Sequence, residues 1–413
     1  MPGPGSYLIG EEEKKNILEV IESGWLYRYG ETENPSFKAK VLQLEEELAA
    51  YTGSKYAVAL SSGTAGLFCG MGALGIGPGD EVIVPGYGFI ASLGTIVYSR
   101  AVPILAEIDT SFTLDPEDVR KKISPRTRAI MLVHTLGNPG RIDEIKQIAY
   151  DHNLYLIEDA AQAFGATYKG KPVGTFGDVG SFSFNYYKML TAGDGGALVT
   201  DREELFHRAF AIQDQGFLPK GSGVEQGSRA VFGLNFKLGE LSAAVILAQL
   251  TKIDLLKQKL KKVKTRFKEG IQDMKELEFR ALPDPDGEIC TLLPILLPDA
   301  ETARKIGDKL GCGVMAESGW HVYKNMQHVL GQKMVDPSGC PFTCPHYTGR
   351  GGSVRYEAGM LPQTDSILER AINLSIGVTD AGLGSAFGVS VLSSDDEIDA
   401  KVEEFRTCLK ESL

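Results

Sequence analysis

Between about Tyr56 and Thr200 the chain alternates short apolar runs with helix-like stretches, and few folds accept that rhythm. The runs are Tyr56 to Leu60, Glu81 to Pro85, Val102 to Ile108, Ala129 to His134, Leu154 to Ile157, Gly180 to Phe184 and Gly195 to Val199. Strands that alternate with helices pair in parallel, and the helices cover both faces of the sheet. The expected class is α/β with a mostly parallel central sheet. Glycine-rich segments at Gly77-Pro-Gly79 and Gly170 to Gly177 read as turns. Beyond them, a helical stretch near Glu240 to Met274 leads into a smaller C-terminal α/β domain. There Cys290 to Leu297 reads as a strand, Ala300 to Leu310 as a helix, and Ser394 to Leu413 as a last helix with a serine cap. The expected division is 1–250 for the large domain and 251–413 for the small one.

Open α/β sheets bind ligands at the carboxyl ends of their strands, so the residues that end these runs matter most. Lys188 follows the run Ser181-Phe-Ser-Phe-Asn-Tyr-Tyr and precedes a glycine-rich loop that ends at Gly196. Upstream, Leu154-Tyr-Leu-Ile157 ends in Glu158-Asp159-Ala-Ala-Gln162. A lysine and a buried aspartate at one sheet edge suit a Schiff-base cofactor whose protonated pyridine nitrogen needs a carboxylate. A third piece completes the pattern. Ser61-Ser62-Gly63-Thr64-Ala65 follows a strand and opens a helix, whose free N–H groups form an anion site. Phosphate is expected on the Gly63 and Thr64 backbone, with the Thr64 hydroxyl and Ser183 assisting. Any one of these fragments has a bland reading, Ser-Gly-Thr as a plain helix cap above all. Together, and in this order, they point to pyridoxal phosphate, with Lys188 as its anchor.

With these residues in hand, the chain resembles the DegT/DnrJ/EryC1/StrS sugar aminotransferases, which are fold-type I pyridoxal phosphate enzymes. The resemblance runs through Ser61 to Ala65, Gly77 to Pro85, Phe89, Val102-Pro103, Glu158 to Gln162, Gly177-Asp178, Ser183-Phe184, Lys188, Gly193 to Gly196 and Gly233-Leu-Asn235. It implies that Ser62, Gly63, Thr64 and Ser183 hold phosphate, that Phe89 stacks on the ring, and that Gln162 approaches the phenolic oxygen. It further implies that Asp159 pairs with the ring nitrogen, and that Asn235 reaches the cofactor of a partner subunit in a homodimer with shared sites. Three departures stand out. Lys237 replaces the usual arginine, and a lysine cannot reproduce a planar two-pronged contact. Ser23 to Gly30 lacks the Gly-Pro ending common among enzymes of nucleotide-linked sugars. The run Leu132 to Gly137 continues as Asn-Pro-Gly rather than a polar stretch.

Substrate choice is read from weaker signals. Trp320-His321-Val-Tyr-Lys324-Asn325 and the Tyr27-Arg28 pair are similar to the subgroup that makes an 8-amino-3,8-dideoxy-octulosonate by aminating an acidic eight-carbon sugar. On that reading Arg28, His321 and Lys324 meet the hydroxyls and carboxylate of the acceptor, with Trp320 beside them, and glutamate or glutamine donates the amine. His321 as a hydrogen-bonded structural histidine and Trp320 as plain packing are equally good readings. A nucleotide-linked keto sugar, an aminocyclitol ketone, a sugar dehydratase on the same fold and a non-catalytic regulatory protein stay open; an intact Lys188 favours transamination.

Composition narrows the remaining classes. The 413 residues are 43% hydrophobic, ample for two units that share a core. A net charge of −11 without a basic block argues against nucleic acid. The chain has no apolar run of about 18 residues and its start lacks the basic and apolar parts of a signal peptide, so a cytoplasmic enzyme without a membrane partner is expected. The 6 cysteines are scattered, as in a reducing compartment. Cys340, Cys344 and His346 do cluster, but a zinc site needs a fourth ligand, and Pro337, Pro341 and Pro345 make the stretch a turning loop. No metal is expected.

Overall fold

A computed structural model describes residues 3–217 and 231–413; of the expected large domain, residues 1–2 and 218–230 lie outside the described residues. The strands are β1 (Tyr56–Leu60), β2 (Glu81–Pro85), β3 (Val102–Ala106), β4 (Thr127–Val133), β5 (Tyr155–Asp159), the short hairpin β6 (Thr167–Tyr168) and β7 (Lys171–Pro172), β8 (Val179–Ser183) and β9 (Gly196–Thr200). Seven of them form one sheet in the order β1-β9-β8-β5-β4-β2-β3. The pairs β2–β3, β2–β4, β4–β5 and β5–β8 are parallel, and β9 alone runs against its neighbours. The expected mostly parallel sheet is thus present, with helices on both faces and an apolar core on each side.

Its strands are buried along nearly their whole length, as parallel strands covered on both faces must be. Their ends differ a little from the sequence expectation: Val102 to Ile108 stops at Ala106, and Leu154 to Ile157 becomes Tyr155–Asp159. The second shift matters, because it makes Asp159 the last residue of β5 rather than a loop residue.

Helices Glu11–Ser23 and Lys40–Thr52, which the sequence pattern did not announce, brace one side of the large unit. The first buries only Glu13 and Val20, too little apolar stripe to read as a helix. The second begins after Ala39, which offers no capping side chain. Glu240 supplies the cap from another helix: its carboxylate accepts the N–H groups of Lys40 (2.6 Å) and Val41 (3.0 Å). The helical stretch expected near Glu240 to Met274 consists of two helices, Glu240–Leu250 and Ile253–Glu269. In the longer one, Ile253, Leu256, Leu260, Val263 and Phe267 form a buried face.

The C-terminal part builds a second sheet from β10 (Glu278–Phe279), β11 (Leu292–Leu296) and β12 (Ala371–Ser375), all antiparallel. Helix Ala300–Leu310 keeps the expected bounds, and Asp395–Lys410 starts on the Ser394 cap, completed by Glu397. The division at residue 250 does not partition the packing. Tyr323, Met326, Tyr356 and Leu361 pack into the same apolar cluster as Val58, Val82 and Met131, so part of the C-terminal half returns to the large sheet. Among the described residues, no helix is long and apolar enough to cross a membrane.

Candidate active site

The carboxyl ends of β1, β5 and β8 open into a cavity of about 420 Å³, within the range of small-molecule sites. Asp159, the last residue of β5, lines it and is buried. Its Oδ2 accepts the Ser92 hydroxyl at 2.6 Å and its Oδ1 accepts the Ala161 N–H at 3.1 Å, so the carboxylate is aimed before any ligand arrives. Lys188 lies in the loop between β8 and β9 and also lines the cavity. Burial holds its pKa below the ordinary lysine range, against the pull of the Asp159 and Asp380 carboxylates. A lysine with that bias gives up its proton more readily than a free one, which suits it to bond a carbonyl carbon.

The residues expected to hold phosphate meet on one wall of the cavity. Ser62 caps helix Gly63–Ala73, accepting the Ala65 N–H at 3.1 Å, and Ser62, Gly63, Thr64 and Ser183 all line the cavity. Gly63 is needed there: a Cβ would sit 2.9 Å from the Ser183 Cβ and 3.1 Å from the Phe182 carbonyl oxygen. Gly196 is needed for the same approach from β9, since a Cβ on it would run into Ser62 and Gly63 backbone. The two glycines let the helix N-terminus, β8 and β9 close on one another.

On the other walls, Phe89 is 43% exposed and faces the cavity, as do Gln162, Trp320 and His321. Gln162 is steadied by accepting the Leu136 N–H at 2.7 Å. The buried His321 ring lies 5.4 Å from Phe89 between centroids and is bonded through Nδ1 to the Ser318 hydroxyl at 3.0 Å. Burial, reinforced by the Lys188 charge, pushes its pKa down to about 3, so His321 brings no positive charge to the site.

Three expected site residues lie elsewhere. Arg28 is buried, pairs with Glu45 at 2.8 Å and bonds the Ala59 carbonyl at 3.3 Å; it does not line the cavity, and the expectation that it meets an acceptor is corrected. The guanidinium lies beside the carboxyl end of β1, held by its carboxylate partner and the Ala59 carbonyl. Lys324 is likewise committed to Glu369 (3.0 Å) and Asp365 (3.3 Å). Asn235 is exposed and outside the cavity of its own chain. Lys237, in place of the arginine, buries its ammonium against Asp214, which also accepts the Tyr29 hydroxyl.

Sequence reading missed Ser92, Asp194 and Asp380. Ser92 lies one helical turn past Phe89 and has no motif of its own; Asp194 sits inside the glycine-rich loop and bonds Asn185 at 3.0 Å. Asp380 arrives from beyond β12, far along the chain, and only the fold brings it near Lys188.

The donor set suits pyridoxal phosphate. A helix N-terminus with hydroxyls holds a phosphate, a fixed carboxylate meets a pyridinium nitrogen, an exposed phenyl face covers a ring, and a desolvated lysine supplies the anchor.

Known proteins agree. Residues 8–319 match the DegT/DnrJ/EryC1/StrS aminotransferase family. The chain is 35% identical over 304 residues to the spore coat polysaccharide biosynthesis protein SpsC of Bacillus subtilis, covering 72% of this chain and 75% of that one. It is 38% identical over 275 residues to a GDP-perosamine synthase of Vibrio cholerae, covering 66% and 69%. Among solved structures, 3-amino-5-hydroxybenzoic acid synthase superimposes with a TM-score of 0.77 at 25% identity, covering 98% of this chain and 97% of that one. The chain therefore belongs to the DegT/DnrJ/EryC1/StrS aminotransferase family, and the residues that line its cavity fit pyridoxal phosphate.

Proposed function

We propose that the enzyme moves an amino group from glutamate or glutamine to the carbonyl of a keto or aldehyde sugar, or a cyclitol ketone, whose reacting end carries no negative charge. One observation supports this most: Lys188 and the fixed Asp159 share a cavity with the exposed ring of Trp320, while Arg28 and Lys324, the cations proposed for an acidic octulosonate, are committed elsewhere. The relative that makes GDP-perosamine favours a nucleotide-linked sugar as the second reading, with the nucleotide outside this cavity.

When bound, pyridoxal phosphate supplies an electron sink for the charge left as a Cα–H bond breaks. The chain's residues do the rest. Lys188 anchors the cofactor and, once released, carries the proton to and from the substrate carbon. Asp159, oriented by Ser92 and Ala161, keeps the ring nitrogen protonated. Ser62, Gly63, Thr64 and Ser183 bind phosphate, Phe89 covers the ring, and Gln162 meets its oxygen. The exposed Asn235 serves the cofactor of a partner, so the working unit is a homodimer in the cytoplasm.

Single-turnover spectroscopy tests the two halves separately, first with glutamate or glutamine and then with oxidised sugars. Borohydride should fix the cofactor to Lys188, and Lys188→Ala should abolish turnover. Ammonia release without donor consumption would make the enzyme a dehydratase instead. Mixed Lys188→Ala and Asn235→Ala subunits should regain activity; a fully active monomer would refute the shared site.

A further inference from the structure

None of the cofactor roles assigned above uses Asp380, yet it lines the cavity and its charge reaches Lys188. It caps a short 3-10 turn, Ala381–Leu383, with Oδ1 accepting the Gly382 N–H at 2.8 Å. Oδ2 receives no hydrogen bond from any described residue. The backbone around it is tied down. The Asp380 N–H donates to the buried Ser385 hydroxyl at 3.0 Å, and its carbonyl accepts the Leu383 and Ser385 N–H groups, each at 3.0 Å. The Gly382 carbonyl accepts the Ser318 hydroxyl, whose other partner is His321. The carboxylate is therefore held in place rather than left to drift.

Trp320 stands beside it. A Cβ on Gly382 would lie 3.1 Å from Asp380 Oδ1 and 3.6 Å from Trp320 Cδ1, so the missing side chain is what leaves room between them. The indole is 60% exposed in a wall of the cavity, unlike the buried aromatic rings of the core. An open aromatic plate next to a fixed carboxylate matches a sugar ring: the plate covers the apolar C–H face, and the carboxylate accepts the hydroxyls at its rim. The charges around the cavity point the same way. Its carboxylates are Asp159, Asp194 and Asp380, Lys188 is the one cation in its described lining, and His321 is neutral.

Resting on the aminotransferase reading above, we infer that Trp320 and Asp380 form the sugar subsite, and that Asp380 selects an acceptor presenting hydroxyls or an ammonium there and disfavours one presenting a carboxylate. The subsite is built from the segments around residues 320 and 380, whereas the phosphate cradle is built from residues 62–64 and 183, so the two are separable by mutation.

The test is calorimetric binding of two probes, D-glucose and D-glucuronate, to the holoenzyme dimer or monomer as it is purified. Wild type should bind glucose about tenfold or more tightly than glucuronate, the size expected of one like charge several ångströms away, partly screened. Asp380→Asn keeps a side-chain oxygen for the Gly382 N–H but removes the charge, and should cut that ratio about tenfold. Trp320→Ala should weaken both sugars together and leave the ratio alone. A loosened loop would lower both affinities without changing their ratio, which separates charge selection from a structural role. The inference is overturned by an unchanged ratio in Asp380→Asn, by tighter glucuronate binding in wild type, or by no sugar binding at all. Failure of the aminotransferase reading shows elsewhere, as absence of amino transfer to any oxidised sugar, and leaves these binding ratios readable.

Discussion

Glu158→Gln should destabilise the protein severely although the two side chains have the same shape. Glu158 is fully buried directly before Asp159. Its Oε1 accepts the N–H groups of Phe176 (2.6 Å) and Gly177 (2.7 Å), and its Oε2 accepts Gly174 N–H (2.7 Å) and His134 Nε2 (2.9 Å). His134 cannot adapt, because its Nδ1 already accepts the Gly140 N–H at 3.1 Å, which fixes the proton on Nε2. An amide has one accepting oxygen, so either orientation of the glutamine turns its NH₂ toward two donors. Two buried unpaired donors cost about 1–3 kcal/mol each, or roughly 2–6 kcal/mol in all. That is a large part of the about 5–15 kcal/mol that keeps a typical domain folded. Burial works to raise the Glu158 pKa, but His134 and the Gly177 and Gly174 N–H groups outweigh it, and the net shift is downward. The stability this carboxylate provides is therefore fully present above the ordinary glutamate range and is lost as pH falls through the lower folded value. Urea unfolding of wild type and Glu158→Gln at pH 7, repeated toward pH 3, measures both effects. A loss under about 1 kcal/mol at pH 7, or an undiminished acid slope in the variant, would refute the hydrogen-bond count.

Other outcomes follow from single contacts. Arg28→Ala strands the buried Glu45 carboxylate and should cost about 3–5 kcal/mol in urea unfolding, with acceptor KM in the remaining folded enzyme near that of wild type. The folded His321 refuses a proton down to about pH 3 whereas the unfolded one accepts it near 6.5, so its contribution to stability falls as pH drops through that interval. His321→Gln should flatten thermal stability against pH there, and an unchanged slope would remove His321 from the acid response. Asp159→Asn should stay folded, because an amide oxygen can still accept the Ser92 hydroxyl, but single-turnover rates should drop about a hundredfold or more as the ring nitrogen loses its charged partner.

The order of elements was legible in the chain because parallel strands covered on both faces must be short continuous apolar runs, and helices must fill the gaps between them. For the same reason Asp159 and the Ser62 to Thr64 stretch stood out at strand ends, and Lys188 in the glycine-rich loop that follows β8. Helices Glu11–Ser23 and Lys40–Thr52 escaped, since one buries almost no apolar stripe and the other borrows its cap from Glu240, about two hundred residues away. The failures in the site have a common cause. Arg28 and Lys324 are long cationic side chains whose partners, Glu45, Asp365 and Glu369, are chosen by packing, and no motif tells a paired cation from a free one. Asp380 and Ser92 are the converse: ordinary in sequence, but Asp380 is brought to the cavity by a returning segment and Ser92 to the Asp159 carboxylate by one turn of helix. Sequence by itself determined the sheet and the class of chemistry, because those depend on periodicity and on neighbours along the chain. Only the tertiary structure decided which charges line the cavity, because that depends on which distant side chains are left unpaired once the core has closed.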